Sequence, residues 1–84
     1  MFDSILIANR GEIACRVIRS ARRLGLRSIA VFHHEDRHAP HVALADVAVE
    51  LHADVPTAAY LDIAQLLEVA KREGAQCIHP GYGF

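Results

Sequence analysis

No run of apolar residues approaches the ~20 needed to cross a bilayer, and Met1-Phe2-Asp3 leads into a strand-like segment without a basic leader. The expectation is a cytoplasmic chain with no membrane partner. Cysteine is scarce: Cys15 and Cys77 stand far apart in apolar surroundings without C-x-x-C spacing, which suits reduced, buried thiols rather than a disulfide framework. Neither sign of charge dominates, since nine Lys and Arg face ten Asp and Glu for a net charge of −1. A global field advertising nucleic acid is therefore excluded, and any partner must be recognised locally. Repeats, low-complexity tracts and linkers are missing too, so the 84 residues make at most one domain. At 52% hydrophobic and 23% charged residues, that domain has the composition of a folded chain.

What is present reads as alternating strands and helices. Ser4-Ile5-Leu6-Ile7-Ala8 and Ser28-Ile29-Ala30-Val31-Phe32 are short apolar runs without polar alternation, the pattern of strands covered on both faces of a parallel sheet. Between them Ile13, Ala14, Val17, Ile18, Ala21 and Leu24 recur with a helical period. Asn9 followed by Glu12 predicts a capping box at that helix's start, and Gly25 a left-handed cap at its end. A polar stretch from His33 to His41, one helical turn beyond Pro40 and a third strand at Val47-Ala48-Val49 follow. Asp62 with Gln65 caps a second helix whose Ile63, Leu66, Leu67 and Ala70 form its apolar stripe before Gly74, and Gln76-Cys77-Ile78-His79 is the fourth strand. The order β-α-β-(turn)-β-α-β predicts an α/β fold with a parallel sheet and right-handed crossovers. Nothing after the fourth strand supplies a further covering helix, so the domain reads as truncated, with marginal stability.

Loops after parallel strands gather at one sheet edge, where ligands bind. After strand one, Arg10 and Gly11 at a helix start form a candidate anion site or active-site edge. The competing reading pairs Arg10 with a neighbouring carboxylate. The loop is neither a dinucleotide fingerprint nor a Walker A motif, because Gly11 stands alone. After strand four, Gly81 and Gly83 flank Tyr82, which either lets backbone approach a ligand while the ring stacks on it or makes a permissive turn with a packed tyrosine. Asp36, after strand two, is a candidate acceptor for a ribose hydroxyl. The histidines between His33 and His41 invite a metal reading, but Arg37 and Pro40 interrupt them and favour a solvated loop that holds no metal. Charge is also segregated: residues 1–27 carry six arginines against two acids, whereas residues 28–84 carry three basic residues against eight acids. The arginine face of the first helix is thus a candidate protein interface.

Taken together, Ile7-Ala8-Asn9-Arg10-Gly11-Glu12-Ile13-Ala14, Asp36-Arg37, His41-Val42 with Ala45-Asp46, Tyr60-Leu61 and Ile78-His79-Pro80-Gly81-Tyr82-Gly83-Phe84 resemble the N-terminus of biotin carboxylases. These are the biotin-carboxylating parts of acetyl-CoA, propionyl-CoA, methylcrotonyl-CoA and pyruvate carboxylases, and the resemblance runs from Met1 to Phe84. It implies a Rossmann-like, three-layer pre-ATP-grasp domain, here incomplete over residues 1–84, with the ATP-grasp and C-terminal domains absent. It also implies a reaction in which ATP and Mg2+ activate bicarbonate as carboxyphosphate and biotin on a carrier domain is carboxylated. Further implied partners are the ATP-grasp remainder, a biotin carboxyl carrier, a carboxyltransferase and a second copy of the carboxylase in a homodimer. The family's nucleotide-binding lysines, metal-binding glutamates and catalytic arginine and glutamate have no counterpart among these residues, so the chain alone is expected to be inert. Tyr82 and Gly83 match biotin-pocket positions, and Arg19 matches a subunit-interface position of bacterial dimers. Arg23 replaces a residue that is often acidic there, and His52-Ala53-Asp54-Val55-Pro56 replaces the usual G-P-A-P. A stand-alone nucleotide- or anion-binding module and a protein-interaction module are the alternatives read from the residues themselves.

Overall fold

The computed structural model describes residues 3–80. The chain runs β1 (Ser4–Ile7), α1 (Gly11–Arg23), β2 (Arg27–His33), a 3-10 turn (His34–Asp36), α2 (Pro40–Leu44), β3 (Val47–Leu51), α3 (Pro56–Tyr60), α4 (Ile63–Glu73) and β4 (Cys77–His79). All strand pairs are parallel and lie in the order β3-β2-β1-β4. Leu6 sits beside Ile29 on one side and Ile78 on the other. Because neighbouring residues of a strand face opposite ways, Leu6, Ile29 and Val31 meet Tyr60, Leu66, Val69 and Ala70 in one core. Ile7 and Ala30 meet Ala14 and Ile18 in the other. Helices on both faces give the three layers, and burial from both sides explains why β1 and β2 are continuous apolar runs.

The helix ends follow from local chemistry, with one correction. At the end of α1, Gly25 takes φ 76°. That left-handed turn lets the Gly25 and Leu26 N–H groups donate to the carbonyls of Arg22 and Ala21, at 3.1 and 2.9 Å. This is the Schellman arrangement the glycine predicts. At the start of α4, Asp62 Oδ1 accepts the Gln65 N–H at 3.1 Å, as expected. The Asn9–Glu12 capping box does not form. Asn9 Oδ1 accepts the adjacent Arg10 N–H at 2.8 Å, the helix starts from Arg10 without a side-chain cap, and Glu12 pairs with Arg19 instead.

Each expected apolar stripe loses some members to the surface. α4 buries Leu66, Val69 and Ala70, leaving Ile63 and Leu67 exposed, and Leu24 lies outside the α1 core. Gln65 lies on the face of α4 that meets the end of β3. Its Oε1 accepts the His52 N–H at 2.9 Å and its Nε2 donates to the His52 carbonyl at 2.6 Å. The carboxamide thus satisfies both backbone groups of the residue that follows β3, and holds that helical face to the sheet edge. The short helix α3, begun by Pro56 at its first turn, lies where the sequence reads only as a loop. Both cysteines are free thiols, with Cys15 buried and Cys77 half-buried. No helix among the described residues is long and apolar enough to cross a membrane.

Candidate functional site

The carboxyl ends of β1 and β2 bring Arg10, Asp36, Tyr60, His33 and His41 together. Arg10 leaves β1 through Asn9 and enters α1 at Gly11, whose φ of 69° a side chain would strain. Its Nη2 donates to Asp36 Oδ1 at 2.9 Å. The Tyr60 hydroxyl, brought in by α3, donates to Asp36 Oδ2 at 2.9 Å. That same hydroxyl accepts the His33 backbone N–H at 3.2 Å. The Arg10 guanidinium carbon lies 5.5 Å from the centre of the Tyr60 ring, within cation–π range. One carboxylate therefore joins the loops after β1 and β2 to the end of α3.

Burial shifts two groups here, Tyr60 and His41. The Tyr60 hydroxyl is pushed up to about 12, first by burial and then by its hydrogen bond to Asp36 and that carboxylate's charge, with the His33 N–H and Arg10 opposing. Tyr60 is thus a neutral donor to Asp36. His33 Nδ1 accepts the Glu35 N–H at 3.1 Å, so its proton sits on Nε2, 2.7 Å from the Ala53 carbonyl. His41 is fully buried. Its Nε2 meets the Val31 carbonyl at 3.1 Å, whereas its Nδ1 has no hydrogen-bond partner. Burial lowers its pKa and Arg10 adds to the lowering, against the Val31 carbonyl and Asp36, which raise it.

The structure places each of the residues singled out in the sequence. Arg10 takes the carboxylate-paired reading, though its side chain stays 38% exposed at the rim. Each oxygen of Asp36 already holds one donor, from Arg10 and from Tyr60. The stretch from His33 to His41 is not a uniformly solvated loop: His33 and His41 are interior residues, and only His34 and His38 among its histidines are exposed. Among the described residues no three His, Cys, Asp or Glu side chains are grouped to hold a metal ion. Arg19 and Arg23 stay on the outer face of α1, with Arg19 2.9 Å from Glu12 and Arg23 donating to Ser20 Oγ at 3.0 Å. Beside that face a groove of about 350 Å³ is lined by Ile5, Ile13, Arg16, Val17 and Leu24. Tyr82 and Gly83 lie outside the described residues. The sequence reading gave no role to Tyr60, although Tyr60-Leu61 is one of the strings on which the family resemblance rests; Tyr60 is the residue that joins the two loops.

Comparison with known proteins gives this arrangement a family context. The family model described as "Biotin carboxylase, N-terminal domain" matches residues 1–84. The propionyl-CoA carboxylase alpha chain of Ruegeria pomeroyi is 46% identical over 84 residues, covering 100% of this chain and 12% of that protein. Urea amidolyase of Saccharomyces cerevisiae is 49% identical over 84 residues, covering 100% of this chain and 5% of that protein. Among solved structures, the biotin carboxylase domain of a thermophilic 2-oxoglutarate carboxylase bound to ADP superposes with a TM-score of 0.94 at 44% identity. That match covers 100% of this chain and 18% of the other. The chain thus spans less than a fifth of the length of each of these proteins.

Proposed function

Because the chain belongs to the family of biotin carboxylase N-terminal domains, we propose that residues 1–84 serve as the leading part of an ATP-dependent biotin carboxylase. In that role the segment helps to enclose a site where bicarbonate and carrier-bound biotin are joined at the expense of ATP. The observation that carries the reading is one continuous family match across the whole chain, on a fold that superposes on part of a biotin carboxylase domain. The carboxylation machinery is divided accordingly. Arg10 and Gly11, at the carboxyl edge of the sheet, form one margin of the active site. Tyr82 and Gly83 line the biotin pocket, and Arg19 and Arg23 face the second copy of a homodimer.

Asp36 is committed to Arg10 and Tyr60, and no grouping of metal ligands exists among the described residues. Nucleotide and Mg2+ are assigned, in this reading, to an ATP-grasp region outside this segment. The carrier that bears biotin and the carboxyltransferase that uses it complete the assembly. The stand-alone anion-binding reading loses ground because the cation it needs is already neutralised by Asp36.

A chimera tests this. Residues 1–84 replace the matching segment of the 2-oxoglutarate carboxylase biotin carboxylase domain, and bicarbonate-dependent release of ADP is followed with free biotin. The chain alone should show no turnover, and the folded chimera should show biotin-stimulated turnover. Turnover by the isolated chain, or a folded chimera that binds ADP yet stays inactive, would overturn the proposal.

A further inference from the structure

His41 occupies a position that chemistry makes conditional on its charge. It is the second residue of α2 and is fully buried. The pairing of β1 with β2 ends at Ile7 beside Ala30. The next carbonyl of β2, that of Val31, is met instead by His41 Nε2 at 3.1 Å. A carbonyl only accepts, so Nε2 carries the proton, and Nδ1, unpartnered and out of water, is a bare lone pair. Adding a proton there would create both a buried charge and a buried N–H without an acceptor, two costs that a water-exposed imidazole avoids.

The groups around the ring do not relieve this. Asp36 and Arg10 act on it with opposite sign and are paired with each other. From α1, Arg22 reaches only the far end of α2, at the Leu44 carbonyl, and Cys15 is a buried thiol. On β2, His33 is engaged by Glu35 and Ala53. At the head of β3, Asp46 holds Ser28, and Glu50 lies at the surface near His34 and His52. The segment is also coupled to the candidate site through the backbone. Ala39 N–H donates to the Asp36 carbonyl at 2.8 Å and Val42 N–H to the Ala39 carbonyl at 3.1 Å.

We propose that His41 is a proton-operated latch: neutral, it ties the head of α2 to the carboxyl end of β2; protonated, it leaves the interior, freeing α2 and loosening Asp36 from Arg10. The imidazole is lowered in the folded chain, so the closed state is complete above the unfolded histidine value of about 6.5 and is lost as pH falls below it.

Ring-nitrogen NMR and amide hydrogen exchange on the 84-residue chain test the latch between pH 7.5 and 5. The neutral Nε2–H tautomer is expected at pH 7.5. Protection of the Val42 and Ala45 amides, corrected for intrinsic exchange, should then fall about tenfold per pH unit below 6.5, while the Leu6 and Ile29 amides stay more protected throughout. His41→Gln, which keeps a donor for the Val31 carbonyl but cannot titrate, should flatten that dependence. If the variant does not fold, the tautomer and exchange profile of the unaltered chain decide the matter alone. An imidazole that titrates at its ordinary value with α2 still protected would overturn the proposal. So would α2 and β1 amides exchanging together at every pH.

Discussion

Replacing Tyr60 by phenylalanine removes one oxygen and leaves the ring, so the change isolates what the hydroxyl does. That oxygen accepts the His33 N–H at 3.2 Å and donates to Asp36 Oδ2 at 2.9 Å, in a side chain that is 2% exposed. Without it the His33 N–H loses its hydroxyl acceptor in a buried setting, a loss of about 1–3 kcal/mol. Asp36 keeps Arg10, and its carboxylate is 14% exposed, so water can replace part of the missing donor. A total near 2 kcal/mol is expected, and for a chain of this size that lowers the melting temperature by roughly 8–16 °C. Thermal and urea unfolding followed by circular dichroism measure it. Asp36→Asn supplies the second arm. In that background Tyr60→Phe should cost less, about 1 kcal/mol, because the charged acceptor is already gone. A Tyr60→Phe chain that melts with the parent, or costs equal in both backgrounds, would refute the idea that this hydroxyl joins the two loops through Asp36.

Three further outcomes follow from the geometry. In an alkaline absorbance titration Tyr60 should ionise near pH 12. Its contribution to stability should be whole below pH 10 and vanish as pH rises through about 12, and a late phase absent from Tyr60→Phe would identify it. The Asp46 carboxylate accepts from both Ser28 N and Ser28 Oγ, at 2.8 and 3.2 Å, and these bonds hold it below the usual carboxylate range. Stability should therefore drop as pH falls through that lowered value, and acid unfolding of Asp46→Asn should lack this component. Gly25→Ala meets no atom within 4 Å, so its cost is backbone strain alone at φ 76°, about 1–2 kcal/mol. Denaturant melts should show that loss, with no change in the α1 core.

The strands, the two long helices and most of their ends were legible because they are set by short-range patterns: two-sided burial, a 3.6-residue period, Asp62 before Gln65, and Gly25 and Gly74 after the last turns. Local pattern misled where a side chain had two nearby options. Asn9 could serve the helix or the next residue's N–H, and it takes the latter. Long-range partners were invisible. Ile63 and Leu67 fit a helical stripe as well as Val69 does, but Gln65 bonds to His52 at the sheet edge while they face outward. His33 and His41 sit in a polar stretch, and only the docking of Ala53 and Val31 against them shows that they belong inside. For the candidate site, Arg10, Gly11 and Asp36 were singled out by their places after strands. Tyr60 was not, since its part depends on a helix that the sequence does not announce.

The sheet order also governs when this segment can finish folding. β1 lies between β2, which follows it closely, and β4, which comes last. Ser4 and Cys77, in contact across the β1–β4 pair, are 73 residues apart. On a ribosome, β1, β2 and β3 can assemble while one flank of β1 still lacks a neighbour, and closure awaits the emergence of His79, whose carbonyl accepts the Ala8 N–H. Pairings of such separation are entropically slow. Until that step, the loop carrying Arg10 is held from one side only, so the rim of the site is the last part of the segment to set.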